Sequence, residues 1–157
     1  MSIQASSVPT GTNVNLVRVI ADVESNSRYG ALRFERRVFN RITDQGSTPV
    51  TVAIARACNC SADTAKMIYS TSWGAFQIMG FNIYDKGIGY TGDISTFLFN
   101  HDTQIAAFNS FIKAKGIEYS VEDLRDEKTR NTFAVTYNGS TDYAVRVLAS
   151  MKRLGLA

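Results

Sequence analysis

The segment Ser72-Trp73-Gly74-Ala75-Phe76-Gln77-Ile78-Met79-Gly80-Phe81 carries no charge and holds the chain's single tryptophan. Ten uncharged residues punctuated by Gly74 and Gly80 suit a segment packed on both sides, its glycines letting backbone or a ligand come close. Such a segment belongs inside or beside a cleft. Gln77 is the exception within it. An amide buried there without partners would cost about 1–3 kcal/mol, so it must find hydrogen bonds, and a ligand is one available partner. Trp73 has two readings: filler of a core, or a platform whose ring face stacks on a flat ligand.

Upstream of this segment, Leu16, Val17, Val19, Ile20 and Val23 recur with helical spacing, which predicts a helix over 14–25 preceded by Thr12 or Asn13 as its cap. At about 100° per residue, Glu24 falls between Ile20 and Val17 on the apolar face, whereas Asp22 and Arg18 share the opposite side. Asp22 is therefore expected to be a solvated partner of Arg18. Glu24 is aimed inward near the helix end. It can fray outward and pair with Arg28 or Arg33, or it can stay against apolar side chains. There, desolvation would raise its pKa and keep it protonated near neutrality.

The remaining periodicities are helical with short interruptions. Residues 1–13 read as a small, polar leader. Residues 31–42 mix a short extended piece with a helix start, and 43–48 is a loop. Pro49 opens a helix to about Ala57, and Ser61 caps another through Tyr69. After an irregular stretch over 82–92, helical spacing returns over 93–99 and over 102–115, with Gly116 as a stop. Ser120 and Asp123 form a capping-box-like start for a charged helix to about Lys128. Phe133 and Tyr137 then run into Asn138-Gly139, where a helix should end. The last helix, over 142–154, buries Tyr143, Val147, Leu148 and Met151. Glu35, eleven residues after Glu24 and followed by Arg36 and Arg37, reads equally well as a salt-bridged acid in the first turn of a helix and as a base that activates water.

Composition narrows the class. With 157 residues, 45% hydrophobic and 20% charged, the chain is expected to fold as one domain around one core, and disordered or fibrous classes are excluded. Its formal charge of +3 favours an anionic polymer without demanding one. Arg33, Arg36, Arg37 and Arg41 read as a solvated face, and no nucleic-acid motif accompanies them. Cys58 and Cys60 are too close for an easy bridge and read as free thiols, while the lone His101 reads as a surface or helix-entry residue, so no metal site is expected. No apolar run is long enough to span a membrane. The first residues lack the basic and apolar regions of a secretory signal, so the product is expected to start in the cytosol.

The order Val23-Glu24-Ser25, then Gly74-Ala75-Phe76-Gln77, then Tyr137-Asn138-Gly139 resembles the peptidoglycan-cleaving muramidases of the lysozyme-like superfamily. Phe34-Glu35-Arg36 and the run from Ser72 to Asn82 are closer still to a phage-type N-acetylmuramidase family, and the likeness spans roughly 14–154. It implies a mainly α (α+β), lysozyme-like single domain over 14–157, with a small irregular or β element near the cleft. It implies hydrolysis of the β-1,4 bond between N-acetylmuramic acid and N-acetylglucosamine in bacterial peptidoglycan. Glu24 would be the general acid and Glu35 the candidate base. Ser72, Trp73, Gln77, Tyr137 and Asn138 would line the glycan cleft. Carboxyl groups about 5–5.5 Å apart would favour retention and about 6.5–9.5 Å inversion. A lytic transglycosylase, a glycan-binding virion or wall protein without turnover, and a chitinase are the alternatives. No cofactor is implied, and a monomer is expected. The protein would reach the wall by release from the host cytoplasm or as part of a virus particle.

Overall fold

The computed structural model describes residues 13–157, so all of the expected leader except Asn13 lies outside the described residues. Helix α1 spans Val14–Ser25, and the Asn13 side chain caps it by accepting from Leu16 N at 3.0 Å. Leu16, Val17, Val19, Ile20 and Ala21 are all buried, which makes α1 the axis of the core. A short strand β1 (Leu32–Phe34) leads into α2 (Arg36–Gln45), which runs farther than the sequence loop at 43–48 anticipates. Helices α3 (Pro49–Ala57) and α4 (Ala62–Tyr69) begin at the caps Thr48 and Ser61, with Pro49 in the first turn of α3, where its missing N–H is no loss.

The uncharged segment folds as a hairpin. Strand β2 (Thr71–Trp73) and strand β3 (Ile78–Met79) flank a turn at 74–77, and β1 completes an antiparallel sheet in the order β1-β2-β3. Arg33 pairs with Ser72 and Ser72 with Met79, while Leu32 pairs with Trp73 and Trp73 with Ile78. The glycines serve the protein's own packing. A Cβ at Gly80 would stand 2.0 Å from the Ile68 carbonyl oxygen, so only glycine lets α5 (Gly80–Ile83) start against the end of α4. Gly74, at φ +76°, would drive a Cβ to 2.2 Å from Gln104 Oε1.

After an irregular loop come α6 (Ile94–Phe99) and α7 (His101–Ala114), the latter stopped at Gly116 with φ +66°. His101 is the entry residue of α7 and stacks on Tyr29 with ring centroids 3.7 Å apart. Ser120 and Asp123 exchange the expected capping bonds, at 2.8 and 3.1 Å, but the charged helix does not continue. A single 3-10 turn (Asp123–Arg125) ends at Asp126, which caps a new helix, α8 (Glu127–Asn138). Gly139, at φ +84°, ends α8 and lets α9 (Asp142–Arg153) fold back beside it.

Helix α9 also packs on α1, and this overturns the expected role of Asp22. Its carboxylate accepts from Ser150 Oγ at 2.6 Å and pairs with Arg153, both on α9. A wheel drawn for one helix assigns that face to solvent because it cannot see the helix arriving more than a hundred residues later. The result is a mainly α domain with a small sheet along one side. Cys58 and Cys60 are free.

Candidate active site

The elements meet at the C-terminal end of α1. Ser25 Oγ donates to the Ala75 carbonyl at 2.9 Å, tying the last turn of α1 to the sheet turn. That turn is held from its other side by Gln104 of α7, which is 1% exposed. Gln104 Oε1 accepts from Ala75 N at 2.8 Å, and its Nε2 donates to the carbonyls of Tyr29 and Leu98 at 3.1 and 2.9 Å. One buried amide thus fixes the hairpin turn, the loop after α1 and the end of α6. A cleft of about 250 Å³ opens in front of this junction.

Glu24, Ser72, Gln77, Tyr137 and Asn138 all line the cleft. Glu24 is half-buried, and the Tyr143 hydroxyl donates to its Oε1 at 2.7 Å. Burial raises the Glu24 pKa above the ordinary carboxylate value. The hydrogen bond from Tyr143 and the charges of Arg146 and Arg33 pull the other way without prevailing. The low-dielectric surroundings come from aromatics. Tyr137 stacks on both Tyr143 and Phe133, with ring centroids 5.5 Å away in each case. Those two rings are 6.5 Å from each other, so the three form a cluster, and Phe111 meets Tyr137 edge-on at 5.8 Å. The phenols of Tyr137 and Tyr143 are themselves held neutral, first by burial and then by their neighbours, including Glu24. Among the described residues the Tyr137 hydroxyl forms no hydrogen bond, which leaves it available to a ligand.

On the opposite wall Ser72 donates to Gln77 Oε1 at 2.9 Å, and Gln77 Nε2 donates to the Gly74 carbonyl at 2.9 Å. Gln77 therefore finds its partners inside the protein, with one amide N–H left over. Its φ of +48° is a left-handed conformation rare for a residue with a side chain, a strain that such sites concentrate.

Two of the sequence candidates are not part of this lining. Trp73 follows Ser72 in β2, and successive strand residues point to opposite faces, so Ser72 on the cleft side puts Trp73 on the other. There it packs against the core, and its indole N–H donates to the Ile68 carbonyl at 3.1 Å. Glu35 sits immediately before α2, where its side chain accepts from Arg33 Nε at 2.6 Å. Arg33, by contrast, does line the cleft, across the sheet from Ser72, as do Lys115 and Asn82. The sequence expectations do not place these three at the cleft, nor Tyr143 and Gln104 beside it, and they name Ser25 only as part of the Glu24-Ser25 pair. Strand alternation could have found Arg33, whereas Tyr143 looks like any other core residue of its helix. Among the described residues that line the cleft, Glu24 is the only one with a carboxyl group. No cluster of three His, Cys, Asp or Glu side chains suited to a metal ion occurs among the described residues.

The family model for Muramidase, described as N-acetylmuramidase, matches residues 52–153. The chain belongs to the N-acetylmuramidase family. An endolysin of Enterobacteria phage PRD1 is 38% identical to it over 142 residues, which cover 88% of this chain and 95% of that protein. No solved structure matches the chain significantly. As a member of this family the protein is a peptidoglycan hydrolase. Among the described residues no helix is long and apolar enough to cross a membrane.

Proposed function

We propose that the chain cleaves the β-1,4 glycosidic bond between N-acetylmuramic acid and N-acetylglucosamine, with Glu24 protonating the departing oxygen. The observation that carries this reading is a single carboxyl group lining a cleft, half-buried against aromatic rings, with its pKa raised by desolvation. A general acid must hold its proton at the working pH, and a hydrophobic setting supplies that property. Tyr143 occupies one carboxyl oxygen of Glu24, leaving the other for the sugar. The Tyr137 hydroxyl, the Asn138 amide and the spare N–H of Gln77 are suited to hydroxyl and acetamido groups of the glycan. Ser72 acts through Gln77 by fixing which way its amide points.

Glu35 fits a supporting role better than that of a base. Its carboxylate is engaged with Arg33, and the role it would then play is to hold that guanidinium at the cleft wall. Trp73 fits the sheet's packing rather than a sugar platform. The phage endolysin among the relatives supports action on the bacterial wall during phage lysis or entry.

The test is mass analysis of fragments released from purified peptidoglycan. Wild-type protein should give reducing ends one water heavier than anhydro ends, and Glu24→Gln should bind the wall while releasing nothing. Anhydro-muramic products, or undiminished release by Glu24→Gln, would refute the reading.

A further inference from the structure

A second recess of about 160 Å³ opens beside the cleft, between the loop after α5 and the last turn of α7. The two hollows share Asn82, Phe111 and Lys115, so one runs into the other. What the recess adds of its own is Asp85, Gly87, Ile88 and Ala114. Beyond the Asn82 amide and the Phe111 ring that it shares with the cleft, the recess adds no hydroxyl, amide side chain or aromatic ring of the kind a neutral sugar uses. It offers two small apolar walls, an open floor and a carboxylate. Lys115, at the junction, spends one N–H on the Thr136 carbonyl at 3.1 Å and lies over the Phe111 ring at 5.1 Å, which leaves donors for an anion. The Asp85 carboxylate has no ion pair among the described residues. Gly87 is required neither by a left-handed backbone nor by close packing. A Cβ there would meet only Ala114 Cβ, at 3.6 Å, across the recess.

We propose that this recess binds the peptide stem that peptidoglycan carries on the lactyl group of its muramic residue, a proposal that rests on the cleft being the glycan-cleaving site. The stem suits it chemically. Its methyl groups match Ile88 and Ala114, its carboxylates match Lys115, and the free amine of a diamino residue matches Asp85. The position suits it too, because a substituent on the sugar in the cleft enters the recess without leaving the surface. The enzyme then prefers peptide-bearing glycan to bare glycan.

The experiment compares kcat/KM on intact peptidoglycan and on glycan strands stripped of peptide by an amidase, for wild type and Gly87→Leu. One well-placed charged hydrogen bond is enough for about a tenfold preference, so the wild-type ratio should be about 10 or more. It should fall to about 1 in Gly87→Leu, whose side chain fills the recess. In a second measurement, a soluble Ala-γ-Glu-diamino acid tripeptide is titrated into isotope-labelled Glu24→Gln protein. Amide signals of Gly87, Ile88 and Ala114 should shift, and the same titration of the Gly87→Leu, Glu24→Gln double variant should show no response. A wild-type ratio near 1, a parallel fall on both substrates that leaves the ratio unchanged, or the absence of tripeptide shifts would overturn the proposal. If wild type cleaves neither substrate yet the tripeptide shifts appear, the glycosidase reading fails and the peptide site stands.

Discussion

The hydroxyl of Tyr143 donates a 2.7 Å hydrogen bond to Oε1 of Glu24, joining positions 119 residues apart. The bond does two opposed things. It orients the carboxyl group, and it stabilises the charged form against the desolvation that raises the pKa. The acid is therefore tuned by a residue that is itself 2% exposed and stacked on Tyr137.

Tyr143→Phe removes the bond and keeps the ring. The Glu24 pKa should rise further, so the basic limb of the kcat/KM profile should move to higher pH. The lost orientation should lower the maximum about tenfold or more. Stability should fall by only about 1 kcal/mol. A pH–rate profile on soluble glycan fragments reads both effects, and an unmoved basic limb would show that the bond does not tune the acid.

Glu24→Gln should stabilise the protein in a pH-dependent way. A glutamic acid whose folded pKa lies above its unfolded value holds its proton more tightly when folded. Its contribution is therefore fully present below the ordinary carboxylate range of about 4.3 and is lost as pH rises through the folded value. The neutral amide escapes that loss. Thermal melts should show a gap in favour of Glu24→Gln at pH 7 that closes by about pH 4, each ~1 kcal/mol being about 2–4 °C for a chain of this size. A gap of the opposite sign at pH 7 would mean that the charged carboxylate is favoured by the fold.

Gln104→Leu should cost far more than a surface change. It leaves Ala75 N and the Tyr29 and Leu98 carbonyls without their partner. A loss of about 3 kcal/mol in urea unfolding is expected, with unchanged m-value. Because the same amide fixes the hairpin turn behind Gln77, KM should rise even where the variant is fully folded.

Glu35→Gln distinguishes a base from a tether. Removal of a general base lowers kcat by about 10²–10⁴. If Glu35 only holds Arg33, kcat should drop less than about tenfold and Arg33→Gln should reproduce the effect, since both variants break the same 2.6 Å pair.

How far the chain could be read in advance depended on how local each cause is. The starts of α1, α3 and α4 were legible because Asn13, Thr48 with Pro49, and Ser61 act within a few residues of themselves. The inward aim of Glu24 was legible from one helix wheel. The break at Asp126 was not, because the Ser120–Asp123 box forms as expected and yet starts only a single turn. The partner of Asp22 is misjudged, and the bond that the correctly buried Tyr143 makes to Glu24 is not foreseen, for one reason: each is set by contact between α1 and α9, which no local pattern encodes. Ser72 and Trp73 were both assigned to the cleft, although strand alternation allows only one of two neighbours to face it. Gln104 went unmarked because a lone glutamine in an apolar helix gives no sign of which backbone groups it will meet.

Carbon-detected NMR titration of the Glu24 carboxyl measures the property from which the rest follows. A midpoint clearly above the ordinary glutamate value of about 4.3, coinciding with the basic limb of kcat/KM, is the predicted result. A midpoint at or below that value would contradict the account, because Glu24 would then reach the sugar without a proton to give.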